Sequence, residues 1–423
     1  MTSEVCLMNQ QAIVLGADSA VTMSGGIRDG KIVESQHQTG VDKIFIINKD
    51  GPAAAMVSGS GSFGPVPWNT VFEQFEAYAG AGPREVPDYS AKIVEFLSDL
   101  QAKSKIVVGP DWETACFQTF ADAFALEYTR FLGGEGWQRD GQLSAAVADA
   151  AIRRFNYLLD TWDMGTVPRG PRLEQFLDDH LGGALAKALG RQLAGTAFPE
   201  ASIPGLATLF SRIVITNRIP PSLMRLTTQI VVAGYGKDVI TPSMFSIRVL
   251  FAFGGIVKYQ PYGKGEVTHD HGKAVHFSSF AQDHAVRAMI FGVTPQFERA
   301  LQNEARDALS GIFQSLRNEL SGMDKDKLAL IEDYMEFIAV TFGSDVADLA
   351  KKAVAGDANS ALRKILAQIG VANARNLTAI GGQLMNLVIA ESKLAQNLGV
   401  AGPVRLLTMT RGHWEFSEIG EPS

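Results

Sequence analysis

The chain opens Met1-Thr2, and that pair can do chemistry. An initiator methionine is trimmed when the next side chain is small, as threonine is. Trimming would leave a hydroxyl and a free amine on one residue. The amine, directly or through a water, can take the hydroxyl proton and turn a weak nucleophile into an effective one. An α-amino group titrates at about 7.7–8.0, close to what a base needs at neutral pH. A lysine beside it would lower that value, because two adjacent positive charges are unfavourable.

Such a residue is useful only if the first strand is held firmly. The first ~60 residues read as strands, short apolar runs between turn residues. Val5–Met8 and Ala12–Ala17 flank the turn Asn9-Gln10-Gln11. Lys43–Ile47 and Ala53–Val57 flank Asn48-Lys49-Asp50-Gly51, a stronger hairpin signal. Residues 23–40 are rich in Gly, Ser and polar groups and are expected to form a loop.

The period then changes to that of a helix. Trp68, Phe72, Phe75 and Ala79 share one face, and Asp88 opens a helix carrying Ile93, Phe96, Leu97 and Leu100. Cys116, Phe117, Phe120, Phe124 and Phe131 make an aromatic stripe, and Val147, Ala151, Phe155, Leu158 and Trp162 another. These stripes are read as helix-packing surface. Strands return at Gln229–Tyr235 and Met244–Phe253. Residues 279–392 read as mostly helical, with breaks near Gly322, Gly343 and Gly356. Val404–Thr410, a turn at Arg411-Gly412 and His413–Glu418 close the chain as a hairpin. This succession predicts an α+β protein.

Composition narrows the partners. The 423 residues are 46% hydrophobic and 20% charged, as in a globular protein. A net charge of −7 without a Lys/Arg cluster argues against a nucleic-acid partner. Apolar runs are broken well before the ~18 residues of a membrane span, and no leader segment is evident, so a cytoplasmic protein is expected. Two cysteines, Cys6 and Cys116, are too few for a disulfide framework or a thiolate zinc site and should pack as small apolar groups. His269-Asp270-His271 has no further ligand at a suitable spacing and reads as a polar loop. No metal or cofactor is expected.

Taken in order, Thr2, Gly16-Ala17-Asp18-Ser19 with Thr22, Lys43-Ile44-Phe45, and Ser58-Gly59-Ser60-Gly61 resemble the proteasome β-subunit pattern of the N-terminal nucleophile hydrolases. Thr2 and Asp18 stand sixteen positions apart, as the family's catalytic threonine and first-hairpin aspartate do. Val232-Ala233-Gly234-Tyr235 and Gly402–Leu406 resemble its central strand and the approach to its last strand pair. The similar pieces cover about 40% of the chain.

The resemblance implies an αββα four-layer sandwich over residues 1–423 as a single domain, with helical insertions at about 80–225 and 295–390. It implies a threonine-type peptidase. Thr2 would be the nucleophile, Asp18 would pair with Lys43, and Lys43 would stabilise the hydroxyl's developing charge and tune the amine. The backbone N–H of Gly59 would face the oxyanion. Val21, Thr22 and Gly61 would border an extended peptide, and Val21, Val41 and Val57 would line an apolar side-chain pocket. A homo-oligomeric ring, an unfolded protein substrate and an unfolding ATPase partner are implied by the same likeness. Read alone, Asp18 also fits a turn-stabilising carboxylate, Lys43 the flank of a strand and Gly59 a plain loop.

The sequence departs from that family in three places. The segment from Asp18 to Lys43 is longer. The family's Ser-Gly-Ser is replaced by Phe277-Ser278-Ser279-Phe280, so Ser278 or Ser279 would take the supporting role. Its late aspartate is missing, with Asn397 or Glu391 nearby. These departures keep two other readings open, a non-catalytic scaffold of the same fold and an amidase acting on small molecules.

Overall fold

A computed structural model describes residues 3–23, 27–28, 31–32, 36–38, 41–49, 52–64, 66–80, 85–103, 110–138, 141–161, 165–167, 170–237, 239–268, 274–281, 295–319, 364, 366–394 and 403–419. The protein is α+β, with antiparallel sheets and helices. The chain divides into two compact units. One comprises Met1–Ala20, Thr268–Thr408 and Phe416–Ser423, the other Val21–Val267 and Met409–Glu415.

The strands in chain order are β1 (Ser3–Asn9), β2 (Ile13–Asp18), four short pieces β3 (Val21–Met23), β4 (Ile27–Arg28), β5 (Lys31–Ile32) and β6 (Gln36–Gln38), then β7 (Ile44–Asn48), β8 (Ala53–Gly59), β9 (Ser62–Phe63) and β10 (Val66–Pro67). They continue as β11 (Thr228–Tyr235), β12 (Pro242–Phe253), β13 (Ile256–Glu266), β14 (Val275–Ala281), β15 (Val404–Thr410) and β16 (His413–Ile419). The region expected to be a loop at 23–40 thus carries short paired strands, β3 with β6 and β4 with β5.

The sheet of the first unit runs β14-β1-β2-β15-β16. On one face Val5, Leu7, Val14, Val404 and Leu406 pack against Leu377, Leu384, Met385, Val388 and Ile389 of the Ala374–Leu394 helix. Cys6, Met8, Ile13 and Leu15 alternate with them, point the other way and are also fully buried. Burial on both faces is why β1 and β2 read as unbroken apolar runs and not as an alternation. Cys6 and Cys116 are free and buried, and desolvation pushes each thiol up to about 12.

One side chain organises the β1–β2 turn. Asn9 is fully buried, and its Oδ1 accepts from the backbone of Gln11 and Ala12 at 2.9 Å each. Its Nδ2 donates to the carbonyls of Ile369 and Ala372 at 2.7 Å. One carboxamide therefore closes a hairpin and anchors the segment that leads into the helix.

The sheet of the second unit runs β13-β12-β11-β8-β7. Helices α1 (Trp68–Ala79) and α2 (Asp88–Lys103) cover one face. Trp68, Phe72, Phe75, Ile93 and Leu97 meet Ala55, Val57, Ile230, Val232 and Ile247 there. A second apolar cluster is built by α3 (Pro110–Gly134), α4 (Ala145–Thr161), α5 (Pro171–Gln192) and α6 (Ile203–Ile215). The predicted stripe is its centre, with Phe117, Phe120 and Phe124 at most 1% exposed. Phe131 packs at its edge, while Trp162 lies outside the described residues. The expected breaks at Gly322, Gly343 and Gly356 also fall outside them. The Pro295–Glu319 helix is described in the first unit.

Besides the short pieces, two long strands escaped the sequence reading, β13 and β14. The turn into β13 is Gly254-Gly255, both with positive φ (+59° and +80°), as a two-residue hairpin with a right-handed twist requires. Its N–H at Gly254 donates to the buried Glu113 carboxylate of α3 at 2.9 Å, and Glu113 also receives Arg172 at 2.8 Å.

Asn9→Ala would remove the side-chain donor from the Ile369 and Ala372 carbonyls, leaving Ile369 only the Ala372 N–H at 3.3 Å, and should cost about 3 kcal/mol. Asn9→Asp should be similarly damaging, because an ionised carboxylate accepts but cannot donate. Urea unfolding of the two variants beside the wild type measures both.

Candidate active-site residues

Asp18 ends β2 and is 1% exposed. In the β1–β2 ladder Glu4 faces Ala17, which brings Asp18 alongside Ser3. Its Oδ1 accepts the Ser3 N–H at 2.8 Å and its Oδ2 the Ala20 N–H at 3.2 Å. Both are charge-assisted bonds to backbone in a buried place, the strong kind. This carboxylate thus holds the N–H of the first described residue of the chain. Thr2 itself lies outside the described residues, as do Asn397 and His269-Asp270-His271. Glu391 sits in the Ala374–Leu394 helix, and its side chain is not described.

Ser278 and Ser279 lie on β14, which pairs with β1. Ser278 faces Cys6 and Ser279 faces Val5. At about 3.3 Å per residue that sets them about 10 and 7 Å along β1 from Ser3. The ladder thus sets both hydroxyls away from the Ser3–Asp18 end. Parity also separates the two: Ser279 shares the helix-packed face with Val5, and Ser278 the opposite face with Cys6.

Ser278 has a partner the sequence reading missed. His276, two residues before it on the same face, shares a 2.7 Å hydrogen bond with its hydroxyl through Nε2. The strand period of two in His-Phe-Ser was the available signal, but β14 was not recognised as a strand. Burial holds the imidazole below its ordinary value.

The other candidates belong to the second unit. Lys43 immediately precedes β7, is 4% exposed, and its carbonyl accepts the Val57 N–H at 2.9 Å. Val57 is buried in the cluster with Val71 and Phe72, and Val41 is half-buried. Val21 and Thr22 belong to β3; their side chains are not described. Gly61 is exposed in the turn after β8.

Gly59 is the most constrained residue of this set. It has φ +96°, and a Cβ there would stand 2.3 Å from the Thr227 carbonyl oxygen. No side chain fits without moving the backbone. The turn that follows is fixed from below. Trp68 Nε1 donates to the Ser60 carbonyl at 3.0 Å, and Thr228 Oγ1 donates to the same oxygen at 3.1 Å. Thr228 is itself the register partner of Gly59. The sequence singled out Gly59 and read Trp68 only as helix-packing surface; it gave no hint of Thr228, whose bond to Ser60 spans 168 residues.

No protein-family model matches the chain, and no curated protein matches it.

Gly59→Ala should destabilise the fold by about 2–3 kcal/mol, since it combines left-handed strain with a backbone clash; a drop in thermal midpoint reads it. Because His276 has its folded value depressed, the unfolded chain binds more protons once the pH falls below about 6.5. The stability His276 contributes should be complete above that pH and be lost as pH falls through the folded value. Urea midpoints from pH 8 to 5 should show this slope, and His276→Gln should flatten it.

Proposed function

We propose that the protein is a threonine-type N-terminal nucleophile hydrolase acting on peptide or amide bonds, with the αββα sandwich of proteasome β-subunits. The observation that carries this reading is the buried Asp18 carboxylate bound to the Ser3 N–H, one residue from the threonine. The antiparallel β1–β2 hairpin, a buried Lys43 and a side-chain-free Gly59 support it. In this reading Met1 is removed and the Thr2 amine takes the hydroxyl proton. Thr2 Oγ then attacks the carbonyl, and an ester to Thr2 forms as the amine of the substrate leaves. Water, activated by the same amine, releases the acid. Asp18 and Lys43 tune the proton transfers, and the Gly59 N–H faces the oxyanion.

Peptides or unfolded protein chains are the proposed substrates, a homo-oligomeric ring the proposed assembly, an unfolding ATPase the proposed partner and the cytoplasm the proposed location. The displacement of Ser278 and Ser279 along β1 favours a second reading, a non-catalytic scaffold of the same fold.

One measurement separates them. Intact mass of the purified protein should correspond to loss of Met1. An epoxyketone peptide should then add once to the wild type and not to Thr2→Ala. Lys43→Ala should slow the addition by about 10² or more. A retained Met1, or an adduct that persists in Thr2→Ala, would remove the hydrolase reading.

A further inference from the structure

A polar row crosses the second unit's sheet beside Gly59. The register places Ser58 of β8 opposite Gln229 of β11, and Gln229 opposite Arg248 of β12. Directly paired residues project from the same face, with Cβ atoms about 5 Å apart. The row is offset by one residue from Gly59, which pairs with Thr228. Gln260 continues it on β13, but its Oε1 is already engaged, accepting the Ile219 N–H at 3.2 Å.

The first three members are rich in donors and poor in acceptors. Gln229 is 8% exposed, and among the described residues its buried Nε2 has no hydrogen-bond partner. Leaving such a donor unmatched costs about 1–3 kcal/mol, and an acceptor brought by a ligand would recover it. Ser58 is 6% exposed. Arg248 is half-buried, and among the described residues its guanidinium meets only the Met224 sulfur at 3.5 Å and the Tyr262 ring at 3.7 Å. No carboxylate of the described residues faces it. A ring stacked on a guanidinium orients its plane and leaves the N–H edge free for a planar, bidentate anion.

We propose that Ser58, Gln229 and Arg248 form a subsite for a carboxylate of the substrate. The inference rests on the hydrolase reading for the word substrate, but the binding chemistry stands on the row itself. Arg248 supplies the charge and the fork, Gln229 Nε2 the further donor, and Ser58 a hydroxyl at the Gly59 side. The carboxylate can be an acidic side chain or the free C-terminus of a peptide; both present the same planar pair of oxygens.

The test uses the Thr2→Ala protein, which has no nucleophile and so reports binding apart from turnover. Three peptides of one core sequence serve as probes: acetylated and amidated with Glu, the same with Gln, and the Gln peptide with a free C-terminus. Calorimetry should show the Glu peptide, the free-acid peptide or both binding at least tenfold tighter than the neutral one. Which of the two does so identifies the source of the carboxylate. Arg248→Gln should bring that ratio to within about twofold, and Arg248→Lys should recover only part of it, with circular dichroism confirming that each variant folds. Equal affinity for all three peptides, no binding of either acid, or a preference that survives Arg248→Gln overturns the subsite. A carboxylate preference in a protein whose Thr2 takes no electrophile would keep the subsite and remove the hydrolase; an electrophile adduct without the preference would do the reverse.

Discussion

The carboxylate of Asp18 on the Ser3 N–H is the constraint from which the first unit is built. A strand buried on both faces has no tolerance for slippage, because a shift of one residue exchanges its two faces. Side chains hold β1 at both ends. Asp18 ties the start, and Asn9 ties the finish to the β1–β2 turn and to the segment before the packing helix. Between them the ladder to β14 runs without interruption from Ser3–Ala281 to Asn9–Val275. A buried carboxylate is costly unless hydrogen-bonded, and here two backbone donors meet it.

The second unit uses the same device to join a helical cluster to a sheet. Lys258 of β13 is fully buried, and its Nζ donates to the carbonyls of Ile213 at 2.7 Å, Val214 at 3.0 Å and Thr216. Those carbonyls end α6, where the helix dipole is negative and acceptors lack intrahelical partners. Burial and the nearby Arg218 charge pull the amine's pKa down. The three acceptors and the Phe120 face 4.9 Å away oppose that pull. Glu113 holds the tip of the same β12–β13 hairpin. Apolar packing supplies most of the stability of this cluster, and the two charges choose which hairpin docks against which helix end.

The proposed chemistry divides along the same line. Asp18 and the chain's start belong to one unit, and Lys43, Gly59 and the Ser58–Gln229–Arg248 row belong to the other. In each, the candidate group rests on a rigid element. Asp18 closes a buried ladder, and Gly59 stands on a turn fixed by Trp68 and Thr228. Such support is what allows a donor or a carboxylate to be pre-positioned for a transition state.

Sequence alone determined the local elements. The stripes through Phe72, Phe120 and Phe155, the hairpins at Asn9 and Asn48, and the last strand pair all follow from apolar period and turn chemistry, which are properties of neighbouring residues. It also marked Asp18, Lys43 and Gly59 as residues of interest. Only the tertiary structure decided what those residues touch. β13 was hidden because Pro261, Gly263 and Gly265 interrupt any alternation, and β14 because its partner lies some 270 residues away at β1. Missing β14 also hid the His276–Ser278 pair and the displacement of both serines from Ser3, and the pairing of β8 with β11 across some 170 residues hid the Ser58–Gln229–Arg248 row. Register between remote strands is chosen by burial summed over whole faces and by a few buried polar anchors, and no local stretch of sequence contains that sum.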